Sequence, residues 1–375
     1  MEELRLDYQI CTRCIMDNKS DPLITFDNNG VCNHCRDFDS VVDKLPKTDQ
    51  EKEIAFNSII QEIKEHGKGK EFDCVLGISG GVDSAYLAYI AKKAGLRILA
   101  THVDAGWNTD VAVENIKKLC KALDIELHTI VVDWTTIKEL QRAYMFSGLP
   151  NLDVVQDHAF LAGTYKFARK YGIDYMLNGS NYQTEGILPS NYGYAAIDYK
   201  NIKDVYKKCG RGKVSLRKYP KMSLFTYSLT YLGKTKRVNL LNYVPYSKKM
   251  AIEVLHNEFD WNYYGGKHFE SRFTKFFQSY YLPKKFRYEK KRAHISSLIV
   301  GGEISREEGL REMSDDSAYT EVQMLEDRDY ILKKLDISID EWNALMAAPN
   351  KTEDDYKNNK KLMKLMQSVK RRIKK

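Results

Sequence analysis

Two groups of residues in this chain have the types and spacing that do chemistry. The first is Ser79-Gly80-Gly81-Val82-Asp83-Ser84, which directly follows the apolar run Cys74-Val75-Leu76-Gly77-Ile78. A buried strand that breaks into two glycines and then a helix sets several backbone N–H groups at one helix N-terminus, a place for an anion. A Cβ there would hold a phosphate away from the backbone, and glycine also admits positive φ in the turn. The hydroxyls of Ser79 and Ser84 can donate to phosphate oxygens, and Asp83 can hold Mg2+ against the same group. The second group is Cys11-Thr12-Arg13-Cys14 and Cys32-Asn33-His34-Cys35, two C-x-x-C knuckles with 17 residues between them. That is the ribbon spacing for tetrahedral Zn2+, and Asn29-Gly30 supplies a turn for the hairpin between the knuckles. Four thiolates would close the coordination shell, so the metal is expected to be structural, with His34 beside it rather than on it.

Other readings of the loop fit less well. Gly77-Ile78-Ser79-Gly80-Gly81 also satisfies G-x-S-x-G, the nucleophile elbow of α/β-hydrolases. An elbow normally follows several strands, whereas little chain precedes this one and much of that carries cysteines. An ordinary glycine-rich turn would not need all six residues in a strand–loop–helix setting. A Walker lysine is absent, and near Gly233-Lys234-Thr235 it is Ser228 that stands where the first Walker glycine belongs. The loop resembles instead the pyrophosphate-binding signature of the ATP pyrophosphatase (PP-loop) superfamily. Its members cleave ATP to AMP and pyrophosphate to turn an oxygen into a leaving group.

The elements that must carry these groups follow from the hydrophobic pattern. An amphipathic helix with Ile54, Phe56, Ile59, Ile60 and Ile63 leads into alternating strands and helices. Strands are predicted at 74–78, 97–103, 125–132 and 175–178, and helices at 83–94, around 116–123, at 135–146 and at 157–171. Such alternation argues a parallel sheet covered by helices, with ligands at the carboxyl ends of the strands. Val103 and Asp104 end the second strand, where adenosine would lie; Asn178-Gly179-Ser180-Asn181 ends the fourth, with Glu185 soon after. Past Ile187 the pattern becomes irregular and rich in tyrosine and lysine, and helices resume near Lys248. Phe269, Phe273, Phe276, Phe277, Tyr280 and Tyr281 form an aromatic stripe expected in the core. The domain reading is a zinc ribbon at 1–45, an α/β ATP pyrophosphatase domain at 46–247, and a helical substrate or partner region at 248–375.

Composition narrows the class. Apolar residues make up 43% and charged residues 29% of the 375, as in a soluble globular protein. No bilayer-spanning run and no signal-peptide pattern are seen, so a cytoplasmic location is the default expectation. A net charge of +8 favours anionic partners, although part of it comes from the tail ending Lys370-Arg371-Arg372-Ile373-Lys374-Lys375, which reads as a solvated helix.

Taken together, the chain resembles the N-acetyl sugar amidotransferases of surface-polysaccharide and nonulosonic-acid biosynthesis. The resemblance runs over nearly its full length. It rests on the knuckles CTRCIMD and CNHC, the SGGVDS loop, HVDAGWN, Leu140 to Tyr144, Asp157-His158, and the block from Asn178 to Pro189. GGKHFES, YYLPKKF and KKRAHISSLI complete it. It implies conversion of an acetamido group into an acetamidino group. ATP would adenylylate the amide oxygen, pyrophosphate would leave into the loop, and ammonia would attack the imidate carbon. Ser79, Gly80, Gly81, Val82 and Ser84 would then cradle pyrophosphate, and Asp83 and Glu185 would bind Mg2+. Val103, Asp104 and Gly179 would flank the nucleotide, while Asp157, His158, Lys267 and Arg292 are candidates for the sugar pocket.

The chain opens Met1-Glu2 and shows no glutaminase-like cysteine elbow. The resemblance therefore implies ammonia from a separate glutaminase, with a cyclase-like subunit as a further partner. It implies neither a membrane nor a nucleic-acid partner. A tRNA thiolase of the same superfamily is the main rival, but its usual extra cysteine pair is missing: Cys74, Cys120 and Cys209 stand alone. A zinc-ribbon nucleic-acid-binding module without catalysis would not need the loop's full set of polar groups.

Overall fold

The computed structural model describes residues 7–193, 196–232 and 235–373. Met1-Glu2, the Walker-like Gly233-Lys234 and the side chains of the basic run from 370 onward lie outside this description.

Five parallel strands form one sheet in the order β3-β2-β1-β4-β5, with β1 at Cys74–Gly77, β2 at Ile98–Asp104, β3 at Glu126–Val131, β4 at Tyr175–Leu177 and β5 at Lys236–Val238. β1 is central because it reads as an unbroken apolar run, which suits a strand covered on both faces. Helices Val82–Lys93, Asp110–Ala122, Trp134–Met145 and Val154–Lys170 follow the strands closely. The α/β class and the first four strands are as the pattern predicts, to within a residue or two. The amphipathic helix leading in spans Asp49–Gly67 and begins at a capping box of Thr48 and Glu51.

The stretch past Ile187 departs from the expectation of irregular chain. It holds the helices Tyr199–Cys209 and Leu224–Leu232 and the edge strand β5. The first of these carries Tyr199, Ile202, Val205, Tyr206 and Cys209 at helical spacing, a stripe that the many lysines and tyrosines around it hid in a stretch read as irregular. β5 is three residues long, too short for any periodicity to register.

Most of the predicted aromatic stripe is core: Phe273, Phe276, Phe277 and Tyr281 are fully buried while Phe269 and Tyr280 are half-buried, and a π-helical turn at Phe277–Tyr281 joins the helices Arg272–Phe276 and Leu282–Phe286. At the N-terminus, Gly30 (φ +76°) turns the chain so that Phe26 and Cys32 form an antiparallel bridge, as the knuckle spacing requires. This small unit docks on the helix Lys290–Val300. Arg306 donates to the carbonyls of Cys14 (3.0 Å) and Cys11 (3.1 Å), Arg292 donates to Ile15 O (2.9 Å), and Ile15 N–H donates to Ser296 Oγ (3.3 Å).

Candidate active site

The glycine loop leaves β1 at Gly77 and enters its helix at Val82, with Gly81 as N-cap. Gly80 has φ +86°, and a Cβ there would sit 3.0 Å from the Ala112 carbonyl oxygen, so the tight turn and the close helix both require glycine. Inside the turn, Ser79 Oγ accepts from Gly81 N–H (3.2 Å) and lies 3.2 Å from Ser84 Oγ, while Ser84 Oγ donates to Gly81 O (3.1 Å). Two hydroxyls and the first N–H groups of a helix thus share one small volume, which is the donor set an anion needs. Gly179, at the end of β4, packs on this helix start, and a Cβ on it would be 3.2 Å from Ser84 N.

Asp83 points from the helix toward β4. It accepts from Asn181 Nδ2 (3.3 Å) and from the Tyr246 hydroxyl, and its second oxygen lies 3.9 Å from Lys267 Nζ. Lys267 also pairs with Glu185 (3.0 Å) and donates to Thr184 O (3.2 Å). Asp83 and Glu185 therefore converge, as a shared cation requires, and the cation between them here is an ammonium group. Burial and the neighbouring Glu185 raise the Asp83 pKa in spite of Lys267. Burial opposes ionisation of Glu185 too, but Lys267 and His268 outweigh it and the pKa falls. The two carboxylates are oxygen donors of the kind that fit Mg2+, while Asn181 turns its NH2 to Asp83 and keeps its oxygen on Thr184 N–H.

Lys267 reaches the loop because its segment is pinned at both ends. Asn115 and Asn262 exchange side-chain-to-backbone hydrogen bonds (2.8 and 2.9 Å), and farther on Thr109 N–H donates to Glu270 O (2.9 Å) and Arg272 N–H to Trp107 O (2.9 Å). Between these anchors, Tyr264 Oη accepts from Val82 N–H (3.2 Å), so a hydroxyl already sits on one donor of the cradle. Glu270 lies against Gly81, and its Oε2 has no hydrogen-bond partner among the described residues. His268 adopts φ +64° beside Glu270 (3.6 Å) and its ring is 5.5 Å from that of His294.

The crevice continues past these groups. Asp157 is exposed at its surface, yet the surrounding walls, the neighbouring Asp153 charge and only partial relief from Lys290 push its pKa up to about 8. Lys290 is lowered by burial, against the pull of Asp153, Asp157 and Glu185. His294 is held well below the ordinary imidazole value by burial and by the cations Lys267, His268, Lys290 and Lys248. An uncharged imidazole at His294 and a protonated Asp157 give the pocket one group ready to accept a proton and one ready to return it.

Not every candidate lies here. His158 is a core residue: Nδ1 faces Ala196 O (2.7 Å), Nε2 accepts from Met222 N–H (3.1 Å), and the ring packs near-parallel with Tyr199 and Tyr219 in a three-ring cluster. With both ring nitrogens committed to backbone, nothing remains for a sugar. Arg292 is engaged by Asp17 (3.2 Å), Glu289 (2.6 Å) and Ile15 O, so it fastens the N-terminal unit instead. Lys285 and Lys291, in the basic stretches flanking the aromatic helix, cap carbonyls of later helices. Lys267 and Lys290 are the ones that turn inward. Val103 is buried at the end of β2, and Asp104 there accepts from Gly106 N–H (2.8 Å). Tyr246, Tyr264, Glu270 and His294 escaped the sequence reading. They lie 163 or more residues from Asp83, so only the paired ends of their segments reveal them.

The four knuckle thiols, all buried, lie within 4.8 Å of one another. Sγ separations are 3.6 Å for Cys32–Cys35, 3.7 Å for Cys14–Cys32 and 3.8 Å for Cys11–Cys35. A tetrahedron of zinc–sulfur bonds of ~2.3 Å has edges of about 3.8 Å, so the set fits Zn2+. His34 bonds Asp21 (2.6 Å) beside it. Cys74 and Cys120 are buried in β1 and in the helix Asp110–Ala122, and Cys209 lies 3.4 Å from the Tyr356 hydroxyl.

Comparison with known proteins gives two family matches on separate stretches of the chain. Residues 270–370 match the family described as LPS biosynthesis protein WbpG-like, C-terminal domain, and residues 53–223 match NAD synthase. The NH(3)-dependent NAD(+) synthetase of Methanococcoides burtonii is 28% identical over 170 residues, 42% of this chain and 60% of that protein. The glutamine-dependent NAD(+) synthetase of Thermotoga maritima is 24% identical over 213 residues, 55% of this chain and 36% of that protein. A 7-cyano-7-deazaguanine synthase of Campylobacter jejuni is 42% identical over 64 residues, 17% of this chain and 28% of that protein. The chain thus spans between about a third and three fifths of the two synthetases. No helix among the described residues is long and apolar enough to cross a membrane.

Proposed function

We infer, from a chain that joins a PP-loop nucleotide fold to a WbpG-like C-terminal domain, that this protein is an ATP-dependent amidating ligase acting on an N-acetylated sugar or nucleotide-sugar. The observation that carries the reading is where the two parts meet: Lys267 and Glu270, at the threshold of the WbpG-like match, reach Asp83, Glu185 and Gly81 of the nucleotide part. A reaction that couples ATP cleavage to work on a second substrate needs both in one water-poor crevice.

An amide carbonyl is a poor electrophile because its oxygen leaves badly. Adenylylation of that oxygen makes it a good leaving group, and ammonia then attacks the imidate carbon to give the amidine as AMP departs. Pyrophosphate expelled in the first step would be received by the N–H groups of the loop and the hydroxyls of Ser79 and Ser84. Mg2+, held by Asp83 and Glu185, would neutralise its charge. Lys267 supplies a second positive centre at the same place. His294, an uncharged imidazole near neutral pH, is placed to take a proton that an attacking ammonia sheds, while Asp157, protonated there, can only give one back. Cys11, Cys14, Cys32 and Cys35 would hold a structural Zn2+ that keeps the ribbon folded against the helix Lys290–Val300, whose inward residues include Lys290 and His294. Ammonia comes, in this reading, from a separate glutaminase.

Mass spectrometry of N-acetylated sugars incubated with ATP, Mg2+ and ammonium tests the reaction. The product is about one dalton lighter than its acetamide, since NH replaces O. Pyrophosphate release with no such product for any acetamido sugar would refute the acetamidino step.

A further inference from the structure

Away from the crevice, a cavity of about 380 Å³ opens beside the edge strand β3. Ile130, Phe167 and Tyr219 form an apolar wall, and Lys166, Arg169, Arg217 and Lys218 stand around it. The cations come from two separate stretches, the helix Val154–Lys170 and the turn before Tyr219. Among the described residues none of these four has a carboxylate within ion-pair distance. Asp133 feels the charge of Lys218 from beyond ion-pair distance, and its Oδ2 accepts from Thr136 N–H and Oγ1 at 2.9 and 2.8 Å. Elsewhere the same region pairs its cations closely: Lys208 with Asp204 (3.0 Å), Lys138 with Asp336 (2.5 Å) and Arg211 with Glu139. Four cations without carboxylate partners around one concavity give it a positive field that favours an entering anion.

We propose that this cavity binds a nucleoside diphosphate, either free or as the carrier portion of a larger molecule. Its volume lies in the range of small-ligand sites. A diphosphate spans several cations at once, with arginine offering a bidentate fork, and an aromatic wall receives the ring. The site is distinct from the glycine loop. β3 is two strands from β1 in the sheet, roughly 10 Å at the usual strand spacing, and no loop residue lines the cavity. The inference goes beyond the amidation reading and does not depend on it.

Isothermal titration of the full chain with uridine diphosphate at physiological salt tests the site without any turnover. One-to-one binding is expected, weakened at least tenfold in the double variant Arg217→Gln/Lys218→Gln and again in Arg169→Gln on the other element. Uridine and inorganic pyrophosphate, each supplying half of the ligand, are expected to bind at least tenfold more weakly than the probe, and saturating ATP is expected to leave the affinity unchanged. All three residues are exposed, so the variants should melt as the parent does. Failure of the diphosphate to bind, equal affinity in the variants, displacement by ATP, or pyrophosphate binding as tight as the probe would each overturn the proposal. The last result would reduce the cavity to a bare charged patch.

Discussion

Gly80 carries the sharpest steric requirement in the site. Its φ of +86° and the Ala112 carbonyl at 3.0 Å leave no room for a side chain. Gly80→Ala is expected to cost about 1–3 kcal/mol of stability in a denaturant melt and to abolish pyrophosphate release. Lys267 is the corresponding electrostatic requirement. Lys267→Ala leaves Asp83 and Glu185 facing each other without a cation, and at least a tenfold fall in kcat/KM for ATP is expected. Asp157 supplies a pH signature. Its folded pKa of about 8 lies above the ordinary aspartate value of about 4, so its proton favours the folded state. That contribution is complete below pH ~4 and is lost as pH rises through ~8. Denaturant midpoints should show the parent losing stability relative to Asp157→Asn between pH 5 and pH 9; parallel curves would refute the shift.

At the scale of elements, the decisive contacts are those that fix one segment on another. His158 fastens the helix Val154–Lys170 to the chain at Ala196 and Met222 through both ring nitrogens. His158→Ala strands a buried N–H and a buried carbonyl and is expected to cost about 2–4 kcal/mol, while KM for the acetamido substrate stays unchanged. A selective rise in KM would return the residue to the sugar pocket. The helix Lys290–Val300 has two working faces, one holding the ribbon through Arg292 and Ser296, the other presenting Lys290 and His294. Stripping zinc with a strong chelator should therefore lower the melting temperature and slow turnover together, and zinc readdition should restore both. Among these elements the sequence showed the strands and helices with strong periodicity, and the knuckles by spacing alone. The stripe of Tyr199–Cys209 was present too, in Tyr199, Ile202, Val205, Tyr206 and Cys209, but lay hidden among lysines, whereas the three residues of β5 carry no pattern at all.

Across the whole molecule, the nucleotide part and the C-terminal part contribute to one crevice, so the proposed reaction needs both. The same arrangement bears on the nitrogen source. Three cysteines remain outside the zinc set, two of them buried and one packed on Tyr356, and none offers an exposed nucleophile beside a base among the described residues. Glutamine is accordingly expected to support turnover only when a separate glutaminase is added, while high ammonium supports it alone. Robust glutamine-dependent turnover by the isolated chain would overturn this division.

What this sequence determined by itself was local: a glycine turn between a buried strand and a helix, two cysteine knuckles at ribbon spacing, and an alternation that can only close as a parallel sheet. Each depends on neighbours in the chain, where backbone geometry and side-chain periodicity are readable. The tertiary structure decided which distant groups share the crevice. It brought Lys267 between Asp83 and Glu185 and set Tyr264 on the Val82 N–H, and it withdrew His158 into the core and Arg292 to the ribbon. A polar side chain's role is set by whatever lies within a few ångströms of it, and for these residues that neighbour is far away along the chain.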